Sequence, residues 1–114
     1  MATIYKVLGR DEWEKAVAQG VFEGSEVDLK DGFIHFSTAR QLRETVRRHF
    51  AGRLDLILAA VEAEALGPEL KWEKSRGGEL FPHLYAPLPV AQIRQAAALP
   101  WLGTAHEFPS DIPA

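Results

Sequence analysis

His35, Ser37, Glu73, His83 and Tyr85 are the residues of this 114-residue chain whose types and spacing suit acid–base or ligand chemistry. His35 and Ser37 stand two apart within Asp31-Gly32-Phe33-Ile34-His35-Phe36-Ser37-Thr38. On one extended strand both side chains leave by the same face, about 7 Å apart. Thr38 has the type of a helix N-cap, and Gln41 three residues later completes a capping box. A titratable ring and a hydroxyl would then lie beside the free N–H groups of a helix start, a place that favours anions. The chemistry implied is an imidazole that donates to a ribose or phosphate oxygen, with Ser37 as its hydrogen-bond partner. A serine nucleophile activated by His35 is not implied, because neighbours on one strand face are too far apart for the direct bond it needs. The competing reading is structural: a histidine satisfied by backbone and a serine that helps the cap.

Phe81-Pro82-His83-Leu84-Tyr85 forms the second cluster. His83 and Tyr85 share parity, and Tyr85 offers a flat ring for stacking together with a hydroxyl. The bland alternative is an edge strand with its tyrosine packed on the core. Glu73 has the charge to act as a general base or to stabilise a developing cation. Against that stands a solvated glutamate paired with Lys71 or Lys74. A metal site would draw on His35, His49, His83, His106 and Glu73. No short His-x-x-x-His spacing occurs and the chain has no cysteine, so no metal is expected. Arg40, Arg43, Arg47, Arg48 and Arg53 read as a solvated face, with Arg40 or Arg43 suited to a phosphate near the helix start. Neither a Walker loop nor G-x-G-x-x-G is present.

These residues must be positioned by a modest set of elements. Residues 3–8 read as an opening strand, with Ile4 and Lys6 on one face and Tyr5 and Val7 on the other. Asp11, with Glu14 as box partner, caps a short helix that turns Trp13, Ala16 and Val17 inward and stops at Gly20. Residues 21–32 mix acids and glycines without periodicity and read as a surface loop ending in an Asp31-Gly32 turn. Residues 33–36 follow as a short buried strand. A second helix spans about 39–50, with Ala39, Leu42, Val46, His49 and Phe50 on its buried stripe. Leu54 to Val61 suits a strand covered on both faces, with an Ala-rich helix as the alternative. Leu70 to Lys74 alternates as a strand with Trp72 inward, and Ser75 to Gly78 is a turn. Leu80 to Leu88, with Pro82 and Pro87, fits an edge strand. Residues 90–98 read as helix by propensity or strand by alternation, and strand is preferred. The tail from about 103 to 114 is irregular. The sum is one α+β domain over residues 1–114, with a mainly antiparallel sheet and two helices.

Composition narrows the functions. At 12.7 kDa and 46% apolar residues the chain can build a core without disulfides or metal. The N-terminus lacks the features of a signal peptide and no run is long enough to span a bilayer, so a cytoplasmic protein without membrane association is expected. A net charge of −3 gives no pull toward non-specific nucleic-acid binding.

The motifs I-Y-K-V at 4–7, W-x-x-A at 13–16, D-G-F-I-H-F-S-T at 31–38, L-K-W-E at 70–73 and F-P-H-L-Y at 81–85 resemble short bacterial proteins known as domain of unknown function 952. That family is similar to the ADP-ribosyltransferase superfamily, nearest the RNA 2′-phosphotransferases, in which a strand L-Y-H-G-T precedes a helix and a strand V-H-L-S precedes another. Ile34-His35-Phe36-Ser37 matches the second strand. Ile4-Tyr5-Lys6-Val7 matches the first, with lysine in place of the cleft histidine, and no residue matches the superfamily's late glutamate or arginine. The resemblance implies an ADP-ribosyltransferase-like fold and a nucleotide or ribose-phosphate ligand, NAD among the candidates. His35, Glu73 and His83 would be catalytic, and Lys6, Ser37, Arg40 and Tyr85 would bind ligand. The activity implied is a glycosyl- or phosphotransferase acting on NAD or an RNA 2′-phosphate. The alternatives are a non-catalytic ligand-binding or interaction domain, which Lys6 favours, and a metal-dependent hydrolase.

Overall fold

Leu56–Glu62 is the most deeply buried strand because it is apolar on both faces. Ile57, Ala59 and Val61 belong to one hydrophobic cluster, and Leu56, Leu58 and Ala60 to another. The computed structural model describes residues 2–112, and around this strand it places three antiparallel sheets and three α-helices. In chain order these are β1 (Thr3–Gly9), α1 (Arg10–Gln19), β2 (Val21–Phe22), α2 (Glu26–Asp31), β3 (Ile34–His35), β4 (Ser37–Thr38) and α3 (Ala39–His49). Then follow β5 (Leu56–Glu62), β6 (Leu70–Lys74), β7 (Leu80–Leu84), β8 (Leu88–Pro89) and β9 (Ile93–Leu99). The largest sheet runs β4-β1-β5-β9, a second pairs β2 with β8, and a third runs β3-β7-β6. The α+β class and antiparallel pairing match the expectation. The count does not: the expected single sheet is three, and a third helix joins the two expected.

The two faces of the large sheet carry two cores. Leu42 and Val46 of α3 pack on Tyr5, Val7, Leu58 and Leu99 on one side. Ala16 of α1, Phe22, Ile34 and Leu84 close over Ile4, Leu8 and Val61 on the other. Helix α3 starts where expected. Thr38 accepts a hydrogen bond from Gln41 N at 3.3 Å, and Gln41 Oε1 accepts one from Thr38 N at 3.1 Å. Its His49, expected on the buried stripe, is exposed. Helix α1 begins earlier than expected, with Gly9 at the N-cap and Glu12, not Glu14, accepting from the cap N–H at 2.8 Å. That phase leaves Val17 on the exposed side. Leu54 is exposed too, because the chain turns through Asp55 at φ 56° before β5 begins.

Four further corrections bear on the site. Residues 21–32 are not a loop: they hold β2 and α2, whose C-terminal turn closes on Gly32 in the left-handed region at φ 89°. The expected strand 33–36 is cut to Ile34–His35: β3 pairs with β7, the chain changes sheet at Phe36, and β4 just beyond it pairs with β1. β7 is central rather than at an edge. Pro82 is tolerated there because its carbonyl, which accepts from Phe36 N at 3.0 Å, points to the side where β3 has ended. A residue's N–H points the same way as its C=O in such a ladder, so the missing N–H costs the β6 side nothing. Trp72, expected inward, is 42% exposed, because β6 is the edge strand of its sheet. The segment 90–98 is mainly strand, and β9 follows a short 3-10 turn. The tail is irregular but anchored, with Ile112 buried and its carbonyl accepting from Arg43 Nη2 at 3.3 Å. No helix among the described residues is long and apolar enough to cross a membrane.

Candidate functional site

One face of the β3-β7-β6 sheet gathers most of the polar residues singled out from the sequence. His35 lies opposite His83 across β3 and β7, Lys71 lies opposite His83 across β7 and β6, and Glu73 lies opposite Phe81. Alternation puts Phe33, His35, Phe81, His83, Tyr85 and Glu73 on that same face. The two imidazoles meet edge to face with centroids 5.6 Å apart. Phe33 stacks on His83 at 4.1 Å and 26°, and lies 4.6 Å from the His35 ring and 5.2 Å from Tyr85. His35 and His83 line a cleft of about 650 Å³, together with Lys6, Ser37, Phe36 and Phe81. That volume is within the range of small-molecule sites. A second cavity of about 140 Å³ lies against Thr3, Tyr5, Arg94 and the tail residues Pro109 and Asp111.

The first half of the site is built on Asp28, which sequence reading missed. Asp28 is only 2% exposed. Its Oδ1 accepts from His35 N at 3.1 Å and lies 2.6 Å from His35 Nδ1 and 3.0 Å from Lys6 Nζ. Its Oδ2 lies 2.8 Å from Lys6 Nζ and accepts from Ser25 N at 2.9 Å and from Ser25 Oγ at 3.0 Å. Burial alone would raise its pKa. The His35 hydrogen bond, the Lys6 charge and hydrogen bond, and the Ser25 N–H outweigh that and hold the carboxyl well below the usual range. Burial lowers the Lys6 ammonium, against the opposing pull of Asp28. Lys6 sits between Ile4 and Leu8 on a core-facing strand, at 5% exposure, and Asp28 is the charge that lets it stay there. The outer nitrogen of His35, Nε2, lies 3.0 Å from Asp31 Oδ2. Both nitrogens of His35 therefore face carboxylate oxygens of α2.

A signal for Asp28 was present in the sequence. Ser25-Glu26-Val27-Asp28 is an S-x-x-D capping box, and Gly32 is a helix stop. It escaped notice because α2 has only six residues and its Val27 and Leu29 are exposed, so no apolar stripe marks it.

The second half is built on Glu73. Its Oε1 lies 2.8 Å from His83 Nδ1 and accepts from Tyr85 Oη at 2.7 Å. The Tyr85 and His83 hydrogen bonds hold the Glu73 carboxyl below the usual range, and the same Tyr85 bond raises the phenol. An ionised carboxylate only accepts, so the proton between this pair belongs to His83 Nδ1. Nε2 has no hydrogen-bond partner among the described residues. Nor is it sealed off, since the sealed side-chain polar atom left without a partner among those residues is Glu62 Oε2. His83 is the imidazole with a nitrogen open to the cleft.

The remaining expected residues fall as follows. Ser37 lines the cleft but donates to Thr45 Oγ1 at 3.1 Å, and the change of sheet at Phe36 takes it off the strand that carries His35. Glu73 and Tyr85 stand behind His83 rather than among the lining residues. Arg40 is exposed and does not line the cleft. Arg53 does line it, with its guanidinium 5.2 Å from the centroid of the Phe50 ring in a cation–π contact. No group of three or more His, Asp or Glu among the described residues is disposed to hold a metal ion. His106 instead places Nε2 2.8 Å from the Arg53 carbonyl.

Residues 7–96 match the family described as Protein of unknown function (DUF952). The crystal structure of protein CC0527 from Caulobacter crescentus superposes with a TM-score of 0.89 at 53% identity, covering 92% of this chain and 93% of that one. The solution NMR structure of CC0527 gives 0.80 at 57% identity, covering 88% of this chain and 86% of that one. No functionally curated protein matches the sequence.

Proposed function

We propose, from the premise that this chain belongs to the family described as Protein of unknown function (DUF952), that its cleft binds a nucleotide or ribose-phosphate compound and transfers a group at it. The observation that carries this reading is the convergence of His35 and His83, 5.6 Å apart, on a cleft of about 650 Å³. Such a volume suits a nucleotide-sized ligand. Phe36, Phe81 and Phe50 supply apolar surface for a base. Arg53, which has no ion pair among the described residues, supplies a cation for a phosphate.

The ADP-ribosyltransferase-like fold is part of the proposal. β1 leads into α1, and the segment bearing His35 and Ser37 leads into α3, in the order that the superfamily resemblance implies. NAD is accordingly a candidate ligand, and the transfer would be of a glycosyl or phosphoryl group. One observation favours a second reading, binding without turnover. Lys6, in the place of the superfamily's first-strand histidine, is already neutralised by Asp28.

Thermal-shift titration with NAD, ADP-ribose and a 2′-phosphorylated oligonucleotide tests the proposal. At least one of the three is expected to raise Tm in the wild type, with the shift lost in His35→Ala and reduced in the surface variant Arg53→Ala. No shift with any of them would overturn it. A shift without consumption of the ligand would select the second reading.

A further inference from the structure

We infer that His83 is the proton-accepting residue of the cleft, held for that role by Glu73 and Tyr85, and that the group it acts on is a hydroxyl nucleophile. This rests on the reading of the cleft as a transfer site. The geometry separates the two imidazoles by what remains free on each. His35 has Asp28 hydrogen-bonded on Nδ1 and the Asp31 carboxylate 3.0 Å from Nε2, so both its nitrogens already face carboxylates. His83 has Glu73 on Nδ1 alone. A carboxylate on Nδ1 sets the tautomer, leaving the lone pair on Nε2, the nitrogen that takes no protein partner among the described residues.

The ring is also held still. It is 5% exposed, stacked under Phe33 at 4.1 Å, and fixed in strand register opposite His35 and Lys71. Glu73 is steadied in turn by the Tyr85 hydroxyl at 2.7 Å. This is an ordered line, Tyr85 to Glu73 to His83, ending in an open lone pair at a cleft wall. Glu73 and Tyr85 act through His83 and touch no ligand, so they are positioning residues.

In the step this arrangement supports, the nucleophile's O–H bond breaks and its proton passes to His83 Nε2. The electron pair stays on oxygen, which attacks the phosphorus or anomeric carbon of the bound compound. The bond from that centre to the leaving group breaks and the pair departs with the leaving group; the proton on Nε2 is returned to it where it leaves as an alkoxide, and is released to solvent where it leaves as a neutral base such as nicotinamide. No redox change and no further reactant is needed, since the nucleophile is water or an alcohol. Correctly placed acid–base groups of this kind contribute about 10²–10⁴-fold to rate.

The experiment has two readouts. The first is ligand-free: the imidazole nitrogens of ¹⁵N-labelled full-length protein, with His83 assigned by its loss in His83→Asn. The neutral ring is expected to carry its proton on Nδ1 in the wild type, to move it to Nε2 in Glu73→Ala, and to show a mixture in Tyr85→Phe. A wild-type proton on Nε2, or a tautomer unmoved in Glu73→Ala, would overturn the inference whatever the cleft binds. The second is turnover of NAD with or without the 2′-phosphorylated oligonucleotide. His83→Gln is expected to lower it about 10²-fold while keeping the thermal shift. Unchanged turnover in that variant removes His83 as the base while leaving the binding proposal intact. A wild type that binds these probes without consuming them also overturns the base role.

Discussion

Asp28 and Glu73 each hold one histidine of the cleft through Nδ1, yet their surroundings are opposite. Asp28 is buried and shared among Lys6, His35 and Ser25, with every oxygen occupied. Glu73 lies on an edge strand, uses one oxygen for both His83 and Tyr85, and leaves the far nitrogen of its histidine open. A fully satisfied buried network rigidifies and specifies a fold, because breaking any member strands the rest. A half-exposed carboxylate on an edge strand adds little to stability and much to the direction a lone pair points. The comparison teaches that similar carboxylate–imidazole pairs divide here into a scaffold and a half left open to the cleft, the one we propose as reactive.

The largest effect that would test this division is on the scaffold. Asp28→Ala leaves the Lys6 ammonium buried without a partner and is expected to cost about 3–5 kcal/mol in urea unfolding. A loss no greater than that of a surface substitution would break the comparison. Acid should reveal the same carboxylate. Its pKa in the folded state is depressed below the ordinary 3.8, so its contribution is present above that value and fades as pH falls through the depressed one. Unfolding free energies measured from pH 6 down to pH 2 should therefore fall below about pH 4 in the wild type. Asp28→Asn, less stable at neutral pH, should lose that part of the slope. On the reactive half, Glu73→Gln should leave the urea midpoint nearly unchanged and yet depress turnover of whichever probe is consumed. A large loss of stability there would make Glu73 a second scaffold residue. The smallest effect concerns Asp31, whose carboxylate occupies His35 Nε2 from a half-exposed position. Asp31→Asn should tighten binding of a phosphate-bearing probe about two- to fivefold by titration calorimetry.

Legibility from the sequence followed local rules. Thr38 with Gln41 marked the start of α3 because a capping box is complete within four residues. The continuous apolar run of β5 marked a strand covered on both faces. His83 and Tyr85 were placed on one side by alternation alone. The α2 helix was not legible by periodicity, since its exposed Val27 and Leu29 define no buried stripe. Phe33 was seen as a strand residue, and nothing local foretold that it would stack on a histidine 50 residues later. The division at Phe36 was hidden as well, because a short extended stretch has the same residue types whether its partners lie in one sheet or two.

By itself the amino-acid order determined the class of elements, the alternation that sends His35, His83 and Glu73 to particular faces, and membership of a family. Each of these depends on backbone preferences and on neighbours only a few residues away. Only the tertiary structure decided that Lys6 would be neutralised by Asp28, 22 positions on, and that one histidine would face carboxylates from both nitrogens and the other from one. Those outcomes depend on which strands pair and which helix packs over them. Hydrogen bonds with donors and acceptors far apart in the chain are chosen by that packing, and no local pattern encodes it.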